Sequence, residues 1–171
     1  MSYVQPEDFT RAMIDAGAKK VHMSTRDTLI RAVMAGAILA LGAAFAITVT
    51  VQTGSALLGA VLFPVGFILL YLLGFDLLTG VFTLVPLALL DRRKGATIGG
   101  LFRNWGLVFL GNAIGALAVA FLISFITTYG FNVTPDEVGQ RLGEIGEART
   151  LGYAEHGAAG MATLFFRAVL C

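Results

Sequence analysis

The chain has 171 residues, of which 57% are hydrophobic and only 13% are charged, and its formal net charge is +1. A typical soluble domain carries about 25% charged residues, so this composition excludes an ordinary soluble domain, and the chain lacks the basic patch with interleaved aromatic residues that nucleic-acid binding requires. One cysteine and two histidines exclude an internal disulfide framework and a cysteine-based metal site, and they offer no ligand set for a haem or another cofactor.

Residues 6–21 carry the pattern of an amphipathic helix. Pro6 suits the first helical position, acidic residues follow it, and two lysines stand in the last turn, where they complement the helix dipole. Phe9, Met13 and Ala16 recur at helical spacing and define an apolar face. We expect this helix to lie on the membrane surface or against the rest of the protein.

The first predicted transmembrane span covers about residues 29–51 and carries one charged residue, Arg31, at its edge. The next apolar run, about 56–90, holds one charge, Asp76, and is too long for a single straight crossing. As one helix it would measure about 52 Å, whereas the hydrocarbon core of a bilayer is about 30 Å thick. It is also too short for two full spans with a turn between them.

We therefore predict that the second crossing consists of two shorter helices with a break near residues 74–80. Gly74, Asp76 and Gly80 are the structural candidates at this break, and Asp76 is expected to cap the amide groups of a half-helix. Irregular backbone at membrane depth is tolerated where it is buried in protein or lines a wet cavity. Because transporters build solute sites from such broken helices, the break predicts a solute path.

The third predicted span covers about residues 105–128, with Trp105 and Tyr129 at its two ends, as is typical of aromatic residues at membrane interfaces. The middle of this span carries a small-residue motif that favours close approach of two helices. We assign helix packing to three residues of this motif: Gly111, Asn112 and Gly115.

Residues 130–156 are polar and predict an exposed loop with one short helix after Pro135. A fourth apolar run, 157–171, has too few residues to cross a bilayer and contains Arg167. We expect Arg167 to snorkel toward the interface or to pair at a contact between chains. Residues 1–171 are thus predicted to form a single transmembrane domain that is incomplete within its fourth span.

The distribution of lysine and arginine predicts the orientation in the membrane. The amino-terminal segment and the loop 91–103 are rich in these residues, whereas the loop 130–156 has only two among several acids. The positive-inside rule then places the amino terminus and the loop 91–103 in the cytoplasm and the loop 130–156 outside.

Short motifs spread along the chain carry a resemblance to a known family. They are FPVGF at 63–67, GFDLLT at 74–79, RNW at 103–105 followed by FLGNAIGA at 109–116, and LFFRAVLC at 164–171. In their order and spacing they resemble the formate/nitrite transporter family over nearly the whole chain.

The resemblance implies a fold and a function. Members of that family have an aquaporin-like, all-α bundle of six transmembrane segments and assemble as homopentamers in the cell membrane, with a pore in each protomer. They carry small monovalent anions such as formate, nitrite or hydrosulfide, often with protons, and they need no cofactor. The resemblance therefore implies a transmembrane anion channel or transporter and not an enzyme.

Five residues match positions that line the pore in that family. Phe63 and Phe67 match one constriction, and Leu77, Leu78 and Thr79 match the loop that breaks the second segment and forms the other. The hydroxyl of Thr79 would meet a central histidine that the family carries in a later segment. The chain departs from the family at two of these positions, since the family more often has Leu in place of Phe67 and commonly has Phe in place of Leu78.

His156 stands where the family usually has a lysine near the outer vestibule. Because histidine side chains change charge between about pH 5 and 8, this departure predicts that the attraction of anions to the vestibule depends on pH. The alternative for His156 is an exposed histidine without a role in transport. A further departure is Phe75, which replaces a small residue at the break.

Other functions remain as alternatives. An aquaporin-like channel for water or glycerol would need a paired Asn-Pro-Ala signature, but Asn104 is followed by Trp105 and Asn132 by Val133. A membrane-embedded enzyme or electron carrier would need a nucleophile with its base or a metal ligand set. A non-transporting membrane anchor would not need a broken helix.

Overall fold

A computed structural model describes the chain from Gln5 to Leu170, with Leu170 described by its backbone alone. All the regular elements within these residues are α-helices, which confirms the prediction of an all-α protein. They are α1 (Pro6–His22), α2 (Thr25–Thr53), α3 (Ala56–Leu62), α4 (Pro64–Leu72), α5 (Leu78–Leu90), α6 (Ile98–Thr127), α7 (Glu137–Ala148), α8 (Leu151–Ala154) and α9 (Gly157–Leu170). Helices α2 and α6 are long and apolar enough to cross a membrane.

The chain divides into two compact units. Unit 1 contains the chain up to Ala43 and the segment Phe63–Ala120, and unit 2 contains Ala44–Leu62 and the chain from Phe121 onward. Unit 1 holds the predicted helix break.

Helix α1 packs against α5 in unit 1. Its sequence favours a helix because Pro6 occupies the first turn together with acidic residues, and basic residues occupy the last turn. Gly17 faces the backbone of Leu84 so closely that a Cβ atom at position 17 would clash with the Leu84 carbonyl group. Val21 of α1 then joins the buried apolar core of unit 1, to which α5 contributes Val81 and Val85.

Helices α2 and α6 approach closely through small residues. A Cβ atom at Gly111 would clash with the side chain of Ala32, and a Cβ atom at Gly115 would clash with the carbonyl oxygen of Val33. On the facing helix, a Cβ atom at Gly36 would clash with the backbone of Asn112. Such contacts between small residues let two helix backbones come together.

Helix α6 begins at Ile98, about two turns before Trp105, the predicted start of the third span. The hydroxyl oxygen of Thr97 accepts a hydrogen bond from the amide of Gly100 at 3.0 Å and so caps the first turn. Trp105 therefore lies inside the helix and not at its end. Its indole N–H donates to the Val81 carbonyl at 3.2 Å, and its ring packs edge-to-face on Phe82 with 4.6 Å between the ring centroids.

The polar segment in unit 2 forms two helices where the sequence predicted one. Asp136 caps α7, because its side chain accepts a hydrogen bond from the amide of Gly139 at 2.8 Å. The short helix α8 follows, and the fourth apolar run forms α9 up to Leu170, while Cys171 lies outside the described residues. Arg167 of α9 donates a hydrogen bond to the hydroxyl of Tyr153.

Candidate functional site at the helix break

Unit 1 contains a break between α4 and α5, at residues 73–77. Gly74 adopts a φ of 70°, in the left-handed region that glycine enters without a steric penalty. The sequence placed the break near 74–80, but Leu78, Thr79 and Gly80 belong to the first turn of α5. The non-helical segment is therefore shorter at its carboxyl end than predicted.

The backbone of the break is held by hydrogen bonds to its surroundings. The amide of Phe75 donates to the carbonyl of Leu70 at 2.9 Å. The guanidinium of Arg31 donates to the Gly74 carbonyl at 2.8 Å, and the Arg31 carbonyl accepts from the Asp76 amide at 3.4 Å. Since Arg31 belongs to α2, this helix supports the break from one side.

Asn112 of α6 supports the break from another direction. Its side-chain oxygen accepts a hydrogen bond from the Leu78 amide at 2.9 Å. Its side-chain nitrogen donates to the carbonyls of Asp76 at 2.9 Å and Ala32 at 2.8 Å. The sequence predicted a helix-packing role for Asn112, and its bonds to the break were not anticipated. A polar side chain inside an apolar span was the available signal.

Asp76 does not cap α5, so the expected capping role is wrong. Leu77 occupies the N-cap position, and its side chain makes no hydrogen bond to the amides of the helix. The Asp76 carboxylate is buried and pairs with the ammonium group of Lys20. A carboxylate removed from water needs a charged partner more than it needs a neutral amide, and the packing of α1 on α5 brings Lys20 within reach.

The sequence did not predict that Lys20 belongs to the site, because its position depends on the packing of α1 against α5. The structure fixes Lys20 from both ends: the ammonium group meets Asp76, and the backbone carbonyl accepts a hydrogen bond from Asn104 at 3.2 Å. The signal in the sequence was a lone acid in an apolar run, which requires a cation from elsewhere.

A cavity of about 240 Å³ lies beside the break in unit 1. Its lining is mainly apolar and includes the predicted break residues Gly74, Asp76 and Gly80 together with Leu77. Lys20 and Tyr71 contribute polar groups to the same cavity. The arrangement combines an apolar wall with one buried ion pair at its edge.

The remaining pore candidates lie outside the lining of this cavity. The rings of Phe63 and Phe67 pack edge-to-face with 5.4 Å between their centroids, as residues one helical turn apart can. Leu78 is half-buried and Thr79 is exposed in the first turn of α5. His156 belongs to unit 2, where it is exposed in the turn between α8 and α9.

Comparisons with known proteins bear on the whole chain. A family model described as formate/nitrite transporter matches residues 7–171. The chain is 36% identical to the uncharacterized transporter YrhG of Bacillus subtilis, over 74% of this chain and 49% of that protein. It is 31% identical to a probable formate transporter of Methanothermobacter thermautotrophicus, over 99% of this chain and 66% of that protein.

The formate channel FocA of Escherichia coli strain K12 is 31% identical to the chain over 69% of this chain and 42% of the channel. The chain thus spans from under half to about two thirds of the length of these relatives. The match of the family model over residues 7–171 nevertheless covers the break, both long apolar helices and the polar segment that follows them. These findings confirm the resemblance seen in the motifs, and the chain belongs to the formate/nitrite transporter family.

Proposed function

We propose that the full polypeptide is a transmembrane channel or transporter for small monovalent anions, with formate as the first candidate and nitrite and hydrosulfide as the others. The observation that carries the proposal is the family match over residues 7–171, together with relatives whose names specify formate. The broken helix in unit 1 supports it, because such breaks build solute sites in membrane transporters.

The solute path in this proposal passes two constrictions. Phe63 and Phe67 form one, and their edge-to-face contact supports a shared face toward the solute. Leu77, Leu78 and Thr79 form the other, next to the break. The exposure of Thr79 leaves its hydroxyl free to meet a group from another segment. His156 is proposed to lie at the outer vestibule, where its positive charge would attract anions in acid.

The proposed assembly is a homopentamer in the cell membrane with its amino terminus in the cytoplasm. The lysine and arginine distribution supports this orientation. Large exposed apolar side chains along α6, among them Phe109 and Leu117, support contact with lipid or with further helices. Protons are proposed to move with the anion.

Flux into liposomes tests the proposal. The full polypeptide would be reconstituted and offered formate, nitrite, hydrosulfide and glycerol separately, with empty liposomes as the control. Uptake of one or more anions without glycerol is the expected result. Glycerol uptake without anion uptake would favour an aquaporin-like channel for neutral solutes, and no uptake of any solute would favour a membrane anchor.

A further inference from the structure

We infer that Asn112 is a positioning residue that sets the selectivity of the constriction formed by Leu77, Leu78 and Thr79. It acts from α6 by holding the backbone on both sides of Leu77. The inference rests on the proposed function, because the constriction belongs to the proposed solute path.

All the hydrogen-bonding groups of the Asn112 amide are used. A side-chain amide has two N–H donors and one carbonyl oxygen. The oxygen accepts from the Leu78 amide at 2.9 Å, and the nitrogen donates to the carbonyls of Asp76 and Ala32 at 2.9 and 2.8 Å. The Asp76 and Ala32 carbonyls require donors, and the Leu78 N–H requires an acceptor. These partners therefore determine which side of the Asn112 amide carries the nitrogen and which carries the oxygen.

The two bonds to the break flank Leu77. The side-chain nitrogen of Asn112 donates to the carbonyl of Asp76, which precedes Leu77, and its side-chain oxygen accepts from the amide of Leu78, which follows it. The first amides of a helix have no partner within that helix, and the N-cap residue of α5 supplies no capping side chain. Asn112 therefore supplies from another helix a cap that the local sequence lacks.

The third bond ties this cap to α2. Ala32 accepts it at a point where α2 and α6 are close, because Gly111 faces Ala32 and Gly36 faces the backbone of Asn112. Asn112 thus connects the backbone on both sides of Leu77 to two long helices, α6 and α2. A side chain without both donor and acceptor groups cannot make this connection.

Loss of the amide should move the constriction without dismantling the bundle. In Asn112→Leu the branching and the number of side-chain heavy atoms are kept, but the Leu78 amide and the Asp76 carbonyl lose their partner. In Asn112→Ser the hydroxyl is too short to reach both. We expect amide exchange in residues 74–80 to rise by about tenfold in either variant, as the loss of side-chain bonds allows local opening. The ratio of nitrite to formate flux should change by roughly 2- to 10-fold.

Thr28→Val is the matched control, since it removes a hydrogen bond of a buried polar side chain in the same unit and keeps the shape of that side chain. The Thr28 hydroxyl donates to the carbonyl of Ser24 at the start of its own helix, at 2.8 Å. The full polypeptide would be reconstituted in nanodiscs for hydrogen–deuterium exchange and in liposomes for flux of formate and nitrite. The control is expected to keep both the exchange of residues 74–80 and the flux ratio of the parent.

Three outcomes would overturn the inference: parental exchange and flux ratio in assembled Asn112 variants, an equal change of both in Thr28→Val, or failure of both Asn112 variants to assemble while Thr28→Val assembles. The last would make Asn112 a general structural residue. Exchange and flux are separate measurements. Absence of anion flux in the parent would therefore reject the proposed function, while faster exchange limited to the Asn112 variants would still establish the cap.

Discussion

The carboxylate of Asp76 and the ammonium group of Lys20 form an ion pair that joins the helix break to the amino-terminal helix α1, across 56 positions of sequence. The carboxylate side is almost fully buried, with 1% of the Asp76 side chain exposed, and the Lys20 side chain is 17% exposed. The amphipathic helix α1 is thereby bound to the break as well as to the core.

Removing one partner of this pair should destabilise unit 1. Lys20→Met leaves a buried carboxylate without a counter-charge, a change that costs about 3–5 kcal/mol in buried pairs. Lys20→Met combined with Asp76→Leu removes both charges and should recover most of that loss. Thermal unfolding of the purified full polypeptide in detergent compares Lys20→Met, Asp76→Leu and the double variant with the parent. Additive losses in the double variant would show that the two side chains do not stabilise each other.

Thr79→Val should alter anion flux with little effect on assembly, because valine keeps the shape of threonine and removes the hydroxyl. If the hydroxyl contributes one hydrogen bond to the solute path, we expect flux to change by roughly 2- to 10-fold. The measurement is formate flux in liposomes. Thr48→Val is a matched control, since the Thr48 hydroxyl donates to the carbonyl of Ala44 within its own helix at 2.8 Å. Parental flux in well-assembled Thr79→Val would remove Thr79 from the path.

The loop that contains Lys94 is expected to face the cytoplasm. The test labels Lys94→Cys with a membrane-impermeant thiol reagent, applied to intact cells and to inverted vesicles, in a Cys171→Ser background. Glu144→Cys, in the polar segment predicted to lie outside, serves as the opposite control. Labelling of Lys94→Cys only from outside the cell would reverse the predicted topology.

The 171-residue chain on its own is expected not to conduct anions. The family resemblance implies six transmembrane segments around each pore, so this chain would supply only part of a lining. Unsatisfied polar groups facing hydrocarbon cost several kcal/mol each. Formate flux from purified 171-residue protein, measured against empty liposomes, checks the expectation, and flux above that background would contradict it.

His156 is expected to make anion uptake depend on pH. Histidine side chains in general gain positive charge as pH falls from about 8 to 5. If residue 156 faces the vestibule, the local anion concentration and the uptake should therefore rise over that range. His156→Lys keeps the charge at every pH from 5 to 8, and His156→Gln never carries it. Compared with the parent, His156→Lys should have a higher formate flux at high pH, and His156→Gln should have a lower formate flux at low pH. Coinciding profiles in the three proteins would exclude His156 from the mechanism.

The sequence predicts those features of the fold that depend on the residues of a single segment. Composition and apolar runs predicted an all-α membrane protein, and the motifs identified the family, both of which are confirmed. Prediction from the sequence failed where a residue depends on a partner far away in sequence. The bond between Asn112 and Leu78 and the pair formed by Lys20 and Asp76 require knowledge of how helices pack, which periodicity within a single helix does not contain.

The start of α6 shows a different kind of limit. The segment 91–103, rich in lysine and arginine, was assigned to a loop, whereas α6 begins at Ile98. Within the folded chain Arg103 donates to the hydroxyl of Thr25 at 2.7 Å, so its charge does not end the helix. Arginine has a high helix propensity, so the charge at position 103 indicates the edge of a membrane span and does not argue against a helix.

The close contact between α2 and α6 has a consequence for how this sequence can change over time. Gly111 and Gly36 bind no solute in the proposed mechanism, yet they set the distance over which Asn112 reaches Ala32. An alanine at Gly111 would push the helices apart and withdraw the amide from Leu78 before it disturbed either helix. The geometry of the break therefore restricts which residues can replace these two glycines. A tolerated substitution there would need a compensating change at position 112.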